Sequence, residues 1–235
     1  MLPARINQIT AAAVALYPAE QRRDFEPMVK EIRLKFRDPQ GLYRQLRSYF
    51  VKHYDAAHMR TFLALERTPV YRTMHRQEDA AELPEAQAAR RRFENNLKAD
   101  PPALKRMQAV ESLDDARNAT ASQVKLAKTI ATAMAAAVGT QIPPGLEPQG
   151  EEFASKIRPI LAGDVQRKYL FTYRNADDLD MDDYLAAVQQ KDVTWFDRTL
   201  QAAILAATTD RATRAGDAVK EAAEKEKEKA GQATN

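Results

Sequence analysis

The chain has 235 residues, of which 44% are apolar, and this is enough to bury one large or two small hydrophobic cores. Glycine is scarce, at 7 residues, and helix-favouring residues dominate, so the composition predicts an all-α fold. The lack of cysteine excludes thiol catalysis, cysteine-ligated zinc and disulfides, and a net charge of +3 does not by itself imply a polyanionic partner.

The first residues, MLPARINQITAAAVALYPAE, are a poor match to a secretory signal peptide. Asn7 and Gln8 interrupt the apolar patch, and Pro18 ends it early. Because an exported protein without its signal would look the same, we expect a periplasmic or secreted location if a signal has been removed, and a cytoplasmic location otherwise. No stretch reaches the roughly 18 apolar residues of a membrane-spanning helix.

Two amphipathic helices are predicted in the next part of the chain. The first has apolar side chains at helical spacing, at Phe25, Met28, Val29, Ile32 and Phe36. Pro39 and Gly41 predict the end of this helix. The second helix has its apolar stripe at Leu42, Leu46, Tyr49 and Phe50.

The stretch FLALERTPVYRTMHR, residues 62–76, predicts a corner between two further helices. Asp55 is placed to cap the first of them. Pro69 lacks a backbone N–H and clashes with the carbonyl group four residues before it, so this helix must stop near Thr68. Proline is favoured in the first turn of a helix, and Pro69 is therefore predicted to begin the second one.

Further helices with polar breaks are predicted in the middle of the chain. Residues 77–84 are polar and predict a loop, after which a charged helix runs through Leu97. Ser112 and Asp115 form an approximate capping box, which predicts one long helix to about Val138.

The last part of the chain begins with a predicted linker, TQIPPGLEPQG at 140–150, which contains three prolines and two glycines. Two short helices are expected after it, one over about 153–161 and one over about 165–173. A further helix at about 181–191 precedes a last long helix that begins near residue 192.

A similar pattern occurs twice, about 120 residues apart. In the first helix of each copy, Met59, Phe62 and Leu63 correspond to Met181, Tyr184 and Leu185. In the second helix, Arg72 and Thr73 correspond to Arg198 and Thr199. The separation is 122 residues from Phe62 to Tyr184 and 126 from Arg72 to Arg198, so one corner is predicted to be longer by about one helical turn. The pattern indicates an internal duplication or the convergence of two amphipathic helix pairs.

The segment SYFVKHYDAAHMRTFLALERTPVYRTMHR, residues 48–76, resembles the bacterial helical domain of unknown function twenty fifty-nine. That family has an aromatic helix, a tyrosine, a capping turn, a phenylalanine-containing helix and a corner that reads aromatic-x-x-Ser-Pro-x-Gly-Lys. Here Thr68 stands in place of the serine and Tyr71 in place of the glycine. The segment YRNADDLDMDDYLAAVQQKDVTWFDRTL, residues 173–200, has a similar layout without the proline. The resemblance implies a small helical bundle of a kind common in exported bacterial proteins, with no established activity and no catalytic residues.

No constellation for catalysis or metal binding stands out. His53 and His58 are five residues apart, on different sides of a helix, and no carboxylate companion is evident for them or for His75. The acidic run at 177–183 has the oxygen ligands that suit calcium, but it lacks the loop glycine and has Gln189 where a bidentate glutamate belongs. We interpret this run as a helix cap, and no metal, cofactor or catalytic residue is predicted.

These patterns predict a helical bundle of two related helical-hairpin units joined by a long helix. The expected divisions are an N-terminal unit at 1–110 with a repeat at about 42–76, a long helix and linker at 111–150, a C-terminal unit at 151–218 with a repeat at about 165–205, and a charged, disordered tail at 219–235. The leading hypothesis is a non-enzymatic interaction or oligomerisation domain of a bacterial protein, which binds a protein partner or itself. Abundant amphipathic helices without catalytic motifs favour it.

Two other functions stay open. One is the binding of an apolar ligand or lipid in a cleft between the two units, lined by Phe50, Phe62, Tyr71, Tyr169, Tyr184 and Trp195. Nucleic acid is a less favoured partner. Residues 1–110 hold 20 basic against 13 acidic side chains, but the arginines are spread over helices at all phases. Their one tight cluster is Arg90, Arg91 and Arg92.

We predict that Pro69→Ala costs little stability, because the proline marks a corner rather than a contact. Tyr71→Ala should cost about 3 kcal/mol or more, because it removes a core aromatic side chain. Thermal unfolding of the two variants checks this, and small, equal losses would contradict the predicted packing of the corner.

Overall fold

A computed structural model of the chain describes residues 2–139 and 142–233, which form twelve α-helices, one 3-10 turn and no strand. The predicted all-α fold is confirmed. Within the described residues, no helix has the length and apolar character needed to cross a membrane. The helices are α1 (Leu2–Ala15), α2 (Ala19–Arg22), α3 (Glu26–Lys35), α4 (Pro39–Lys52), α5 (Ala56–Glu66), α6 (Pro69–Glu82), α7 (Ala86–Asn96), α8 (Leu104–Arg117), α9 (Ala119–Val138), α10 (Glu151–Thr172), α11 (Asp178–Val188) and α12 (Lys191–Ala233), and the 3-10 turn is Arg23–Phe25.

The helices group into two compact units. The first compact unit contains Met1–Phe50, Ala121–Leu161 and Ala202–Asn235, and the second contains Val51–Thr120 and Ala162–Gln201. Each unit therefore draws on separate stretches of chain, whereas the sequence interpretation divided the chain into consecutive pieces. The reason is that α4, α9, α10 and α12 each contribute residues to both units.

The core of the first compact unit is built on the apolar face of α3. Phe25, Met28, Ile32 and Phe36 are each at most 1% exposed, which confirms the predicted stripe, while Val29 is half-buried. The same core takes side chains from α1, α9, α10 and α12. It includes Ile6, Ile9, Ile130, Met134, Phe153, Ile157 and Ala215.

Arg211 of α12 fixes the end of α3 in this unit. Its Nε donates a hydrogen bond to Oε1 of Gln45 at 2.9 Å, and its guanidinium also donates to the carbonyl oxygen of Lys35. The guanidinium carbon lies 5.4 Å from the centre of the Phe36 ring. One side chain of α12 therefore contacts both α3 and α4, and satisfies a carbonyl group that the end of α3 leaves free.

The second compact unit contains two helix pairs whose first helices have the same length, α5 with α6 and α11 with the first residues of α12. Asp55 and Asp177 cap the first helix of each pair by accepting backbone N–H groups, as predicted for Asp55. Pro69 begins α6, also as predicted. Phe62, Tyr71 and Tyr184 are buried in this unit's core.

The two corners have the same length, so the predicted extra turn is wrong. α5 and α11 both have 11 residues, and the separation is 122 residues at the caps, at the ends of these helices and at the starts of α6 and α12. The Arg-Thr pairs that matched at 126 residues are therefore not equivalent positions. Similar letters on helices with a 3.6-residue repeat can match one turn out of register, which explains the error.

Asn118 divides the predicted long helix into α8 and α9. Its backbone is left-handed, at φ 49° and ψ 36°, and it is the C-cap of α8. Ser112 and Asp115 lie inside α8 and do not begin a helix, so the predicted capping box is wrong. The carboxylate of Asp114 instead accepts the backbone N–H of Thr120 at 2.7 Å, at the start of α9.

Three predicted breaks are helical in the structure. α6 continues through Glu82 because Glu78 and Glu82 face partners, among them Lys168, rather than solvent. α10 is continuous through Pro159, since its apolar positions follow one stripe at four-residue spacing, at Phe153, Ile157, Leu161 and Val165. α12 continues to Ala233 where a disordered tail was predicted.

Two contacts support α12 beyond the start of the predicted tail, as far as Lys225. Val219, which is half-buried, packs against the first core. Lys225 pairs with Glu221 one turn earlier, at 2.6 Å. The end of the predicted tail, residues 234–235, and the first two residues of the predicted linker, 140–141, lie outside the described residues.

The left-handed backbone at Asn118 predicts a difference between two small substitutions. Asn118→Gly should leave the free energy of unfolding nearly unchanged, whereas Asn118→Ala should lower it by about 1 kcal/mol, because a Cβ atom strains this conformation unless the side chain bonds locally. Chemical denaturation measures both. Equal losses would show that the conformation of residue 118 does not limit stability.

Candidate functional site

The aromatic residues predicted to line a cleft fall into two groups. Phe62, Tyr71 and Tyr184 are at most 6% exposed and fill the second core. Tyr169 and Trp195 are half-buried in the same unit, and Phe50 is half-buried in the first compact unit.

Ring contacts account for the buried group. The Phe62 ring stacks on Phe196 with 4.0 Å between ring centres, and the Tyr71 ring meets Tyr184 edge-on at 5.2 Å. The apolar surfaces of these three side chains are buried within the second core, in part against Phe196. The binding of an apolar ligand stays a prediction without support from them.

Glu78 of α6 is the centre of a polar cluster inside the second compact unit. Its carboxylate oxygen Oε1 accepts hydrogen bonds from the hydroxyl of Tyr184, at 2.7 Å, and from the hydroxyl of Tyr173. Arg117 lies 3.4 Å from the same oxygen and also donates to the Tyr184 hydroxyl. We call these four residues the tyrosine cluster. Residues from α6, α8 and α11 and from the turn that follows α10 are thus joined around one carboxylate.

The surroundings of Glu78 keep its carboxylate ionised. Burial opposes the charge, but the positive charge of Arg117 and the hydroxyls of Tyr173 and Tyr184 outweigh burial and hold the pKa of Glu78 below its ordinary value. Burial raises the pKa of both tyrosine hydroxyls, so that they stay protonated and donate. Charge and hydrogen bonds in this cluster are used for internal cohesion.

Asp197 lies near this cluster on α12 and has the opposite shift. Burial, only partly offset by Arg117, raises the pKa of its carboxyl group above the ordinary value. Its oxygen Oδ2 is buried and accepts no hydrogen bond within the described residues. The ionised form of Asp197 is therefore disfavoured in the folded chain.

Two histidines have carboxylate partners that the sequence interpretation missed. Nδ1 of His58 lies 2.6 Å from Oδ1 of Asp192, and the His58 ring stacks on Trp195 at 5.3 Å. His75 lies 3.5 Å from Glu66 and 3.8 Å from Glu78. The partners of His58 come from more than 130 positions away in the chain, so spacing along one helix could not show them.

The acidic run at 177–183 and the arginine cluster have ordinary structural contacts. Asp177 caps α11 by accepting the backbone N–H of Asp180 at 2.7 Å, as the capping interpretation predicted. In the described part of the chain, no group of three or more acidic or histidine side chains is arranged to hold a metal ion. On α7, Arg90 pairs with Glu94 at 2.8 Å, and Arg91 and Arg92 are exposed.

A groove in the first compact unit is the feature that the sequence interpretation missed. It lies along α1 and α3 and has a volume of about 1120 Å³. Its apolar floor consists of Ala11, Val14, Ala15, Pro27, Val29 and Leu34, and its rim carries the cations Arg22, Arg23, Lys30, Arg33 and Arg37 with one acidic residue, Glu26. We call this feature the basic groove.

The cations of the basic groove have two different roles. Arg22 donates hydrogen bonds to the carbonyl oxygens of Tyr17 at 2.8 Å and Ala15 at 2.9 Å, and so closes the end of α1. The other four are exposed, and no described carboxylate lies within ion-pair distance of them. These four rim cations are Arg23, Lys30, Arg33 and Arg37.

The spacing of these cations was a signal in the sequence. They fall at intervals of seven, three and four residues, which place them on one face of a helix. The interpretation that the arginines occur at all phases is therefore wrong for this segment. It took the first half of the chain as a whole, where other helices obscure the regular spacing of the cations at 23–37.

Comparison of the chain with protein-family models, with curated proteins and with solved structures finds no match. The resemblance to the domain of unknown function twenty fifty-nine therefore stays an expectation from the sequence. The fold and the site define the class of protein as an all-α helical protein that has a groove with a cationic rim and an apolar floor on its first compact unit.

The tyrosine cluster predicts opposite effects for two isosteric substitutions. Glu78→Gln leaves Arg117 without its counter-charge and should cost about 2 kcal/mol of unfolding free energy at neutral pH. Asp197→Asn removes a disfavoured buried charge and should raise stability at the same pH. Chemical denaturation measures both, and shifts of the same sign would contradict the assigned roles.

The two effects should also depend on pH. Because the pKa of Glu78 is lowered on folding, its contribution is complete above the unfolded value of 4.5 and is lost as the pH falls through the folded value. The pKa of Asp197 is raised above 3.8, so the advantage of Asp197→Asn should decline as the pH falls below that raised value and should be absent below 3.8. Denaturation at neutral and at acidic pH separates these cases.

Proposed function

We propose that this chain is a non-enzymatic helical protein that acts by binding another protein, and that the basic groove is its docking surface. The observation that carries the proposal is the set of four rim cations, which lie beside an apolar floor without a carboxylate partner among the described residues. Arg90 and Lys225, by contrast, are each paired with an acidic residue one turn away.

Each part of the groove contributes in a different way. The apolar floor supplies surface whose removal from water favours association, at about 25 cal/mol per Å². The charged rim attracts a partner of opposite sign and fixes its orientation more than it adds affinity. A floor and a rim together are the usual arrangement of a protein-binding surface.

The tyrosine cluster supports the non-enzymatic part of the proposal. The ionised Glu78 and the protonated tyrosines are hydrogen-bonded to one another, which is the arrangement of an internal ion pair rather than of a general acid or base. His75, which lies beside Glu78, likewise contacts the carboxylate of Glu66.

A protein partner is favoured over nucleic acid by the residues that line the groove. Single strands bind where aromatic side chains stack on the bases between phosphate contacts, and the lining residues of the basic groove include no aromatic side chain. Arg91 and Arg92 are exposed on a helix of the second compact unit, and they are not among the residues that line the basic groove. A bacterial origin and an exported location remain expectations from the sequence.

A photo-crosslinking side chain placed in the groove tests the proposal. Ala11 is exposed on α1 in the groove, and Ala88 is an exposed alanine on α7 outside it. In the source cell, position 11 should give discrete protein adducts that disappear when Arg33→Glu and Arg37→Glu are added, and position 88 should not. The same adducts at both positions, or none at position 11, would overturn the proposal.

A further inference from the structure

The architecture limits the kind of segment that fits the basic groove. Strand addition needs a free sheet edge, and the described part of the chain contains no strand. Recognition of polyproline segments uses grooves lined by aromatic rings, and the lining of this groove has none. A helix lying in a groove between two helices is the recognition mode that these surfaces match.

The floor allows a helix to approach closely. Ala11 and Ala15 are small and exposed on α1, and Val14 and Val29 are half-buried against the first core. Leu34 is 40% exposed on α3, which is high for a large apolar side chain next to a core. An occupant with an apolar stripe would therefore cover Leu34 and the two valines, while the alanines leave room for its backbone.

The rim indicates the charge and the length of the occupant. Arg23 lies in the 3-10 turn before α3, and Arg37 follows the end of α3. The 14 positions between them equal about 20 Å, or about four turns, of an occupying helix at 1.5 Å per residue. Over this length the groove presents four cations without carboxylate partners, and Glu26 is the one acidic residue among its lining residues. Arginine binds carboxylates through two parallel hydrogen bonds, so acidic side chains are the natural complement of this rim.

We infer that the basic groove binds an amphipathic helix of a partner protein, in which carboxylate side chains flank an apolar stripe of about four turns. The inference rests on the proposed function and specifies the partner of the same site. It requires that binding depends on both the acidic flanks and the apolar stripe. It also requires that the rim cations are the residues that discriminate between acidic and basic helices.

Titration of the full chain with labelled synthetic helices tests this inference by fluorescence anisotropy. The first peptide has a leucine stripe with glutamate flanks, the second has the same stripe with lysine flanks, and the third has the composition of the first in an order without an apolar face. The first peptide should bind at least about tenfold more tightly than either of the others, and its affinity should fall with added salt.

A pair of charge-matched variants assigns the site. Arg33→Glu with Arg37→Glu changes two exposed cations of the groove, and Arg91→Glu with Arg92→Glu makes the same charge change on α7. The groove variant should weaken binding of the first peptide by about tenfold or more, and the α7 variant by less than about threefold. Circular dichroism establishes that both variants stay folded. Equal losses from both pairs would overturn the inference.

The other outcomes separate this inference from the proposed function. If position 11 gives protein adducts but the lysine-flanked or the scrambled peptide binds as tightly as the first, the groove docks a protein and the acidic-helix partner is wrong. If the chain binds vesicles of anionic lipid more tightly than the first peptide, the ligand of the groove is a membrane surface, and the acidic-helix partner is wrong. If position 11 gives no adduct and no peptide depends on Arg33 and Arg37, both are wrong.

Discussion

Burial of the apolar face of α3 is the constraint on which the basic groove depends. Met28, Ile32 and Phe36 are almost fully buried, and the helical repeat then turns Lys30, Arg33 and Arg37 away from the core. Because core packing fixes the rotation of α3, and Arg211 fixes its end, the cations stay beside the half-buried valines and cannot turn away together with the backbone. The backbone of a surface held in this way loses little conformational freedom when a partner binds.

The second compact unit shows how one backbone arrangement carries two chemistries. At the constant separation of 122 residues, His75 corresponds to Asp197, Glu78 to Leu200 and Tyr184 to Phe62. The polar tyrosine cluster therefore occurs in one asymmetric version, although α5 and α11 match in length and in their aspartate caps. A single buried carboxylate needs its own donors and counter-charge, and the second helix pair, which has Leu200 in the place of Glu78, needs neither.

Local signals predicted the helices well. The core stripe of α3, the Asp55 cap and the start of α6 at Pro69 are confirmed, because each depends on residues within about two turns of one another. Two kinds of feature were predicted wrongly. The long helix is divided at Asn118 by a left-handed backbone conformation, which asparagine tolerates but which its presence in a sequence does not predict. The continuation of α6 depends on partners of Glu78 and Glu82 that are distant in the sequence.

The sequence by itself determined the all-α class, the positions of most helices, the doubled hairpin pattern and, in the spacing of Arg23, Lys30, Arg33 and Arg37, a cationic helix face. These follow from periodicity and backbone chemistry, which act over a few residues. Only the tertiary structure decided that α1 lies beside this face and supplies an apolar floor, and that Arg117, Tyr173 and Tyr184 converge on Glu78. Those contacts join residues many positions apart, and their partners are chosen by the packing of whole helices rather than by any local preference.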